Sequence, residues 1–258
     1  MRSLWRCFIA VVCLATLAAC SSTPQNNCAA DHIDEQAQVS YVYDGDTVKL
    51  TDGRRVRFIG IDTPEVGHGK NPAQAFSHEA SAALRELLTS GRAVQLRYDA
   101  ERLDSHQRTL AHLYLKNGQS VETELLERGL ATVLIVPPNV WNLTCYQAAE
   151  KRARTAKLGI WSLPHYQPIS SEKLPADANG FYIITGRVLN VSKSRHAVWL
   201  NLAGKVSLRI GDADLPYFAG QDLEHMENHQ VIARGWLHPW SEELVMPLRH
   251  PAALEWVN

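Results

Sequence analysis

Asp46, Arg57, Asp62, Glu65 and Arg108 stand in one order within segments that alternate like strands or turn sharply. Their chemistry complements a phosphodiester. The carboxylates at 46 and 62 are hard oxygen donors of the kind that suits Ca²⁺. Glu65 is a candidate to activate a water, and the forked guanidiniums of Arg57 and Arg108 match phosphate oxygens. Singly, each has a plainer reading: Asp-Gly-Asp is most often a turn, Arg57 a solvated strand residue, and Arg108 half of a surface ion pair with Asp104 or Glu101. The combination is what points to a site. Asp62, Thr63 and Glu65 follow the apolar run VRFIGI, and Pro64 takes the chain out of any sheet at that point.

The elements that must hold these groups can be read from period and punctuation. YVYDGDTVKL (41–50) roughly alternates, Asp52-Gly53 is a hairpin signal, and RVRFIGIDTPE (55–65) resumes the alternation, so one hairpin carries Asp46 and Arg57. Residues 73–89 change to a helical period, with Phe76, Ala80, Ala83, Leu84, Leu87 and Leu88 on one face. VQLRY (94–98) and LAHLYL (110–115) are further strands, and the polar loop between them delivers Arg108 to a strand entrance. Residues 121–130 and 147–159 read as two more helices, closed by Gly129 and Gly159.

YVYDGDTVKL, RVRFIGIDTPE and DSHQRTLAHLYL (104–115) closely resemble the staphylococcal thermonuclease family from about Val39 to Ser162. The resemblance implies a mainly β fold with helices (α+β), an OB-fold barrel with three helices that hydrolyses DNA or RNA with Ca²⁺. It assigns metal-holding roles to Asp46, Asp62 and the Thr63 carbonyl, the water to Glu65, and the phosphate clamp to Arg57 and Arg108. Departures touch substrate handling. Ile135 and Pro137 stand where the archetype has two tyrosines lining the nucleotide pocket, His106-Gln107 replaces Tyr-Gly, Thr109 replaces a glycine and Ser105 a lysine. None removes a catalytic group. A non-catalytic nucleic-acid-binding or envelope interaction protein is the alternative, and it would predict the loss of Glu65 or an arginine.

Beyond Ser162, Pro164, Pro168 and Pro175 among Ser, Glu and Lys suggest a linker over 163–179. Five strand-like runs follow in 180–258, a tally that suits a second, OB-like β-barrel. Trp199, Trp236 and Trp240 alternate within strands there and are expected mostly in the core, with base stacking as the other reading. The histidines lack the paired spacing of a zinc site.

The first residues read as an address. Arg2 and Arg6 precede 13 largely apolar residues, Cys7 to Ala19, too few to span a bilayer, where roughly 20 are needed. LAAC (17–20) resembles a bacterial lipobox, which implies a signal peptide over 1–19 and a lipid on Cys20. It also implies a location in the cell envelope outside the cytoplasm; ordinary secretion with cleavage near Ala18 or Ala19 is the alternative. Residues 20–38 are polar and aperiodic and suit a tether. The chain has 26 basic and 27 acidic residues. Losing Arg2 and Arg6 with the leader moves the formal charge from −1 to −3, so any grip on nucleic acid is local. Of five cysteines, Cys28 and Cys145 remain once Cys7, Cys13 and Cys20 are set aside. They are either one disulfide or two independent thiols.

Overall fold

The computed structural model describes residues 28–257 apart from positions 68, 70, 71 and 90. The expected leader and Cys20 lie outside the described residues. Alternation along β1 (Glu35–Val42), β2 (Thr47–Leu50) and β3 (Arg55–Phe58) turns Val39, Val42, Val48, Leu50, Val56 and Phe58 inward. The Asp52-Gly53 turn folds β2 back on β3 and sets Thr47 opposite Arg57. Then come β4 (Ile61–Asp62), α1 (Ser77–Leu87), β5 (Ala93–Arg97), β6 (Thr109–Leu115), α2 (Val121–Glu127), β7 (Thr132–Val133) and α3 (Leu143–Thr155). The strands close in the order β1-β2-β3-β6-β5, with β3 parallel to β6. This is an OB-fold barrel with three helices, and β4 pairs with β7 outside it.

The expected tether is folded from residue 28 onward. Glu35 to Gln38 pair with Leu96 to Ala93, Asp31 meets Arg97 at 3.1 Å, and Asp34 accepts the Tyr98 N–H at 2.8 Å. These polar residues find their partners within the protein, which composition does not reveal. Cys28 is buried and forms a disulfide with Cys145 at a Cα separation of 5.6 Å, across 117 positions of sequence. In the chain-entropy account a crosslink over so long a loop stabilises by about 4–5 kcal/mol. The helix expected over 147–159 begins earlier, at Leu143, and so takes in Cys145. The helix expected over 73–89 spans only Ser77–Leu87, because Phe76 before it is left-handed with φ of 68°.

Glu122 on α2 is fully buried. Its carboxylate accepts the Leu113 N–H at 2.7 Å and the Ser120 hydroxyl at 3.1 Å, yet burial pushes its pKa from the ordinary 4.5 up to about 8. A carboxyl raised on folding contributes stability that is whole below 4.5 and is lost as pH rises through 8. The melting temperature is therefore expected to fall between pH 5 and pH 8, and Glu122→Gln to flatten that slope. Parallel melting curves for the two proteins would refute it.

The second half contains β8 (Ile169–Ser170), β9 (Gly180–Ser194), β10 (Ala197–Leu202), β11 (Val206–Gly211), β12 (Gln230–Trp240), β13 (Glu243–Pro247) and β14 (Leu254–Val257). β9-β10-β11-β13-β12 form a ring closed by the β12–β9 pairing, again with its third and last strands parallel. It repeats the strand order of the first barrel, so this too is an OB-type barrel. The segment 163–179 is not a free linker: Ile169 and Ser170 pair in parallel with Ile184 and Thr185, and Ser171 and Ala178 are buried. Trp236 and Trp240 point outward, 43% and 55% exposed, while Val198, Leu200 and Leu237 fill the interior.

The barrels meet through a small core of Ala153, Ile160, Trp161 and Ile183. Beside it Arg234 of β12 donates to Glu150 of α3 at 2.5 Å, both side chains being buried. The second Glu150 oxygen accepts the Val133 N–H at 2.7 Å. The carboxylate thereby ties β12 to β7 and fixes one barrel against the other.

Candidate active site

Chain reversal at Asp44-Gly45-Asp46 places the first carboxylates. Asp44 Oδ1 accepts the Asp46 N–H at 3.0 Å, which shapes the turn. Gly45 is required because a Cβ would lie 2.8 Å from both Ala80 Cβ and Thr63 Cγ2, so the turn can press against α1 and the β4 exit. Gly60 has φ of +85°, and a Cβ there would sit 2.6 Å from the Tyr146 ring.

Asp46 holds the next segment. Its Oδ2 accepts the Thr63 N–H at 2.8 Å and the Thr63 hydroxyl at 3.1 Å, and its Oδ1 accepts the Thr47 hydroxyl at 3.0 Å. Arg57, opposite Thr47 in the hairpin, lies between the two acids. Nη2 is 2.7 Å from Asp62 Oδ1 and 3.2 Å from Asp46 Oδ2, while Nη1 donates to the carbonyls of Phe58 and Ile61, both at 2.8 Å. Asp46, Arg57, Asp62 and Thr63 are thus in one bonded network.

Negative charge exceeds what Arg57 neutralises. Burial, reinforced by the charge of Asp46, pushes Asp44 up to about 6. Burial also raises Asp62 to about 7; Arg57 opposes this, and Asp46, Glu65 and Asp44 add to it. Burial by itself would weaken the Arg57 cation, but Asp46, Asp62, Asp44 and Glu65 outweigh it and hold the guanidinium protonated. Glu65 is exposed, and its place is set by the main chain: its N–H donates to Gln74 Oε1 at 2.9 Å and its carbonyl accepts the Gln74 N–H at 3.0 Å.

Arg108 does form the ion pair with Asp104, Nε to Oδ2 at 2.6 Å, and its N–H donates to Oδ1 at 2.9 Å. That anchored arginine still lines, with Arg57, a cavity of about 430 Å³. Pro137 is in its wall, whereas Ile135 is buried and lines a neighbouring cavity. His106 contributes only a main-chain bond to Asp104. Two residues escaped the sequence reading. Asp44 was legible as the first acid of Asp-Gly-Asp, whereas Arg249, which also lines this cavity, arrives from the second barrel with no signal at all.

The donor set suits a hard divalent cation by charge: three aspartates and a glutamate crowd one arginine, and burial, reinforced by the neighbouring acids, pushes two of the aspartates toward neutrality. Among the described residues no group of three or more His, Cys, Asp or Glu side chains is arranged as a complete metal cage.

The class that fold and site define is an OB-fold barrel with acids gathered around a buried arginine, Arg57, which lines one cavity together with Arg108. Residues 55–163 match the family model of staphylococcal nuclease homologues. The chain is 35% identical to a thermonuclease of Staphylococcus intermedius, over 59% of this chain and 92% of that protein. It is 32% identical to endonuclease YncB of Bacillus subtilis (strain 168), over 64% of this chain and 95% of the relative. A thermonuclease of Staphylococcus hyicus is likewise 32% identical, with 92% of its length covered. The chain belongs to the staphylococcal nuclease family.

Proposed function

We propose that this chain is a Ca²⁺-dependent nuclease that cleaves DNA or RNA by attack of water on phosphorus, anchored outside the cytoplasm through Cys20. Its class as a hydrolase of nucleic acids follows from the family. The observation that carries the finer reading is the excess of carboxylate over guanidinium around Arg57, with Glu65 at its edge.

Asp46, Asp62 and the Thr63 carbonyl are the groups that would hold the ion. Bound Ca²⁺ supplies positive charge that polarises a phosphate oxygen. Glu65, exposed beside this cluster, takes the proton of the attacking water. Arg57 and Arg108, facing one cavity, bind the phosphate and oppose the negative charge that grows on it as the bond to water forms. Burial of Arg57 lowers the local dielectric and strengthens that effect. The ion pair to Asp104 restricts Arg108, so less side-chain freedom is lost when phosphate arrives. Anchoring rests on LAAC and Cys20, and the Cys28–Cys145 disulfide suits the oxidising compartment that export implies.

The decisive assay incubates the full-length protein with single-stranded DNA and RNA in Ca²⁺ or in EDTA. Cleavage that requires Ca²⁺ and is abolished by EDTA is the expected result. Equal cleavage in both would remove the metal from the mechanism, and no cleavage in either would defeat the enzymatic reading.

A further inference from the structure

A second cavity, about 330 Å³, lies between the barrels and shares Leu134, Val136 and Arg249 with the cavity that holds Arg57 and Arg108. One wall is the Val133–Val136 strand exit of the first barrel. The other is Phe181, Trp236, Arg249 and His250 of the second. We propose that this cleft binds an unpaired nucleoside of the substrate strand, next to the phosphate being cleaved, so that the second barrel is part of the nuclease's substrate site. The inference rests on the nuclease reading above.

Three observations carry it. The first is continuity: the two cavities share Leu134, Val136 and Arg249, so a strand whose phosphate is held by Arg57 and Arg108 has the second cavity directly beside it. The second is chemistry. The walls are mostly aliphatic and aromatic, and Trp236, in a T-shaped contact with Phe181 at 5.4 Å, stays 43% exposed, so indole surface is open to a ligand rather than buried. Base stacking on such a platform is indifferent to base identity. Arg249 supplies charge at the junction. Its Nε reaches Asp214 at 3.3 Å, its Nη2 lies 3.5 Å from the Pro137 carbonyl, and nearly half of the side chain remains in solvent. A pair of that length, with the arginine half in solvent, leaves the guanidinium free to be shared with a flanking phosphate.

The third is rigidity. Glu150, Arg234 and the core around Trp161 lock the barrels together, so the cleft is formed before substrate arrives and little is lost in shaping it. A paired base presents neither a free face nor a free edge to such a cleft. The site therefore selects single strands, or ends that have frayed.

The test measures kcat and KM of the full-length protein on a short single-stranded oligonucleotide and on its duplex, for wild type, Trp236→Ala, Arg249→Ala and Trp240→Ala. Trp240 is the control, an exposed indole of the same barrel that lines neither cavity. KM for the single strand is expected to rise roughly tenfold in Trp236→Ala and Arg249→Ala, and Trp236→Phe to recover most of it. The duplex is expected to respond less than the single strand, and Trp240→Ala to match wild type. An unchanged KM in both variants, equal losses on single strand and duplex, or an equal loss in Trp240→Ala would overturn the proposal. If Trp236→Ala melts early, Trp236→Leu, which keeps apolar bulk but no aromatic face, and Arg249→Gln carry the comparison. Binding of the same oligonucleotide to Glu65→Gln protein, followed by tryptophan fluorescence, separates the two readings. Binding that is lost with Trp236→Ala supports the cleft even where turnover is absent, and binding indifferent to Trp236 and Arg249 refutes it even where the enzyme cleaves.

Discussion

Glu65→Gln is expected to lower kcat by roughly 10²- to 10⁴-fold, about 3–5 kcal/mol in the barrier, with the melting temperature unchanged. The two halves of that prediction come from one geometric fact. Glu65 is exposed, and the bonds that position it, to and from Gln74, belong to its main chain. Glutamine keeps those bonds and nearly the same shape, so it removes a proton acceptor and little else. KM is expected to change far less than kcat, because a group that acts on the water stabilises the transition state without holding the substrate. A glutamine variant that keeps more than a tenth of the activity would move the base elsewhere. Asp44, raised to about 6 by burial and Asp46, would be the next candidate.

Arg57→Ala is expected to abolish measurable cleavage and, unlike Glu65→Gln, to destabilise the fold. The guanidinium is shared among four partners: the carboxylates of Asp62 and Asp46 and the carbonyls of Phe58 and Ile61. Its removal leaves two carbonyls short of a donor and a crowd of acids without a counter-charge. Breaking a largely buried pair of this kind costs about 3–5 kcal/mol, roughly 10 °C in melting temperature for a protein of this size. Arg57→Lys keeps the charge but not the fork, so it is expected to regain part of the stability and little activity. Calorimetry with a cleavage assay on the same samples decides it. A wild-type melting temperature for Arg57→Ala would mean that the acids do not depend on this arginine, and wild-type activity would remove it from the phosphate clamp.

The contrast between these two residues shows how one site serves chemistry and folding with different members. Glu65 sits at the rim, where a reacting group must be reached. Arg57 sits at the crossing of β3 with the β4 exit, where the chain must close on itself. A phosphate-binding group that also makes four structural bonds is expected to show its loss as destabilisation as well as inactivity.

Much of this was legible from residues alone because it is local. Asp52-Gly53 sets a two-stranded pairing, that pairing sets Thr47 opposite Arg57, and so Asp46 and Arg57 must meet. Pro64 ends the strand after Asp62 for the same local reason. The second barrel was visible as five alternating runs, since period 2 is a property of each strand by itself. The sidedness of those runs was not. Alternation says that Trp236 and Leu237 face opposite ways, but only closure of the β12–β9 pairing decides which of them is inside. The polar segments 28–38 and 163–179 failed as tether and linker for a related reason. Composition reports how little apolar area they can bury, not the partners that fix them: Arg97 and Tyr98, far along the chain, for the first, and the edge of β9 for the second.

The sequence by itself therefore determined the candidate reacting groups, their order and the hairpin that joins the first two, because each depends on neighbours within about twenty residues. Tertiary structure alone decided three things: that Asp44 and Asp62 are driven toward neutrality, that Arg57 is held by two acids at once, and that Trp236 and Arg249 reach the cleft from the second barrel. Desolvation, charge crowding and the shape of a cavity between two barrels are sums over atoms brought together only by packing.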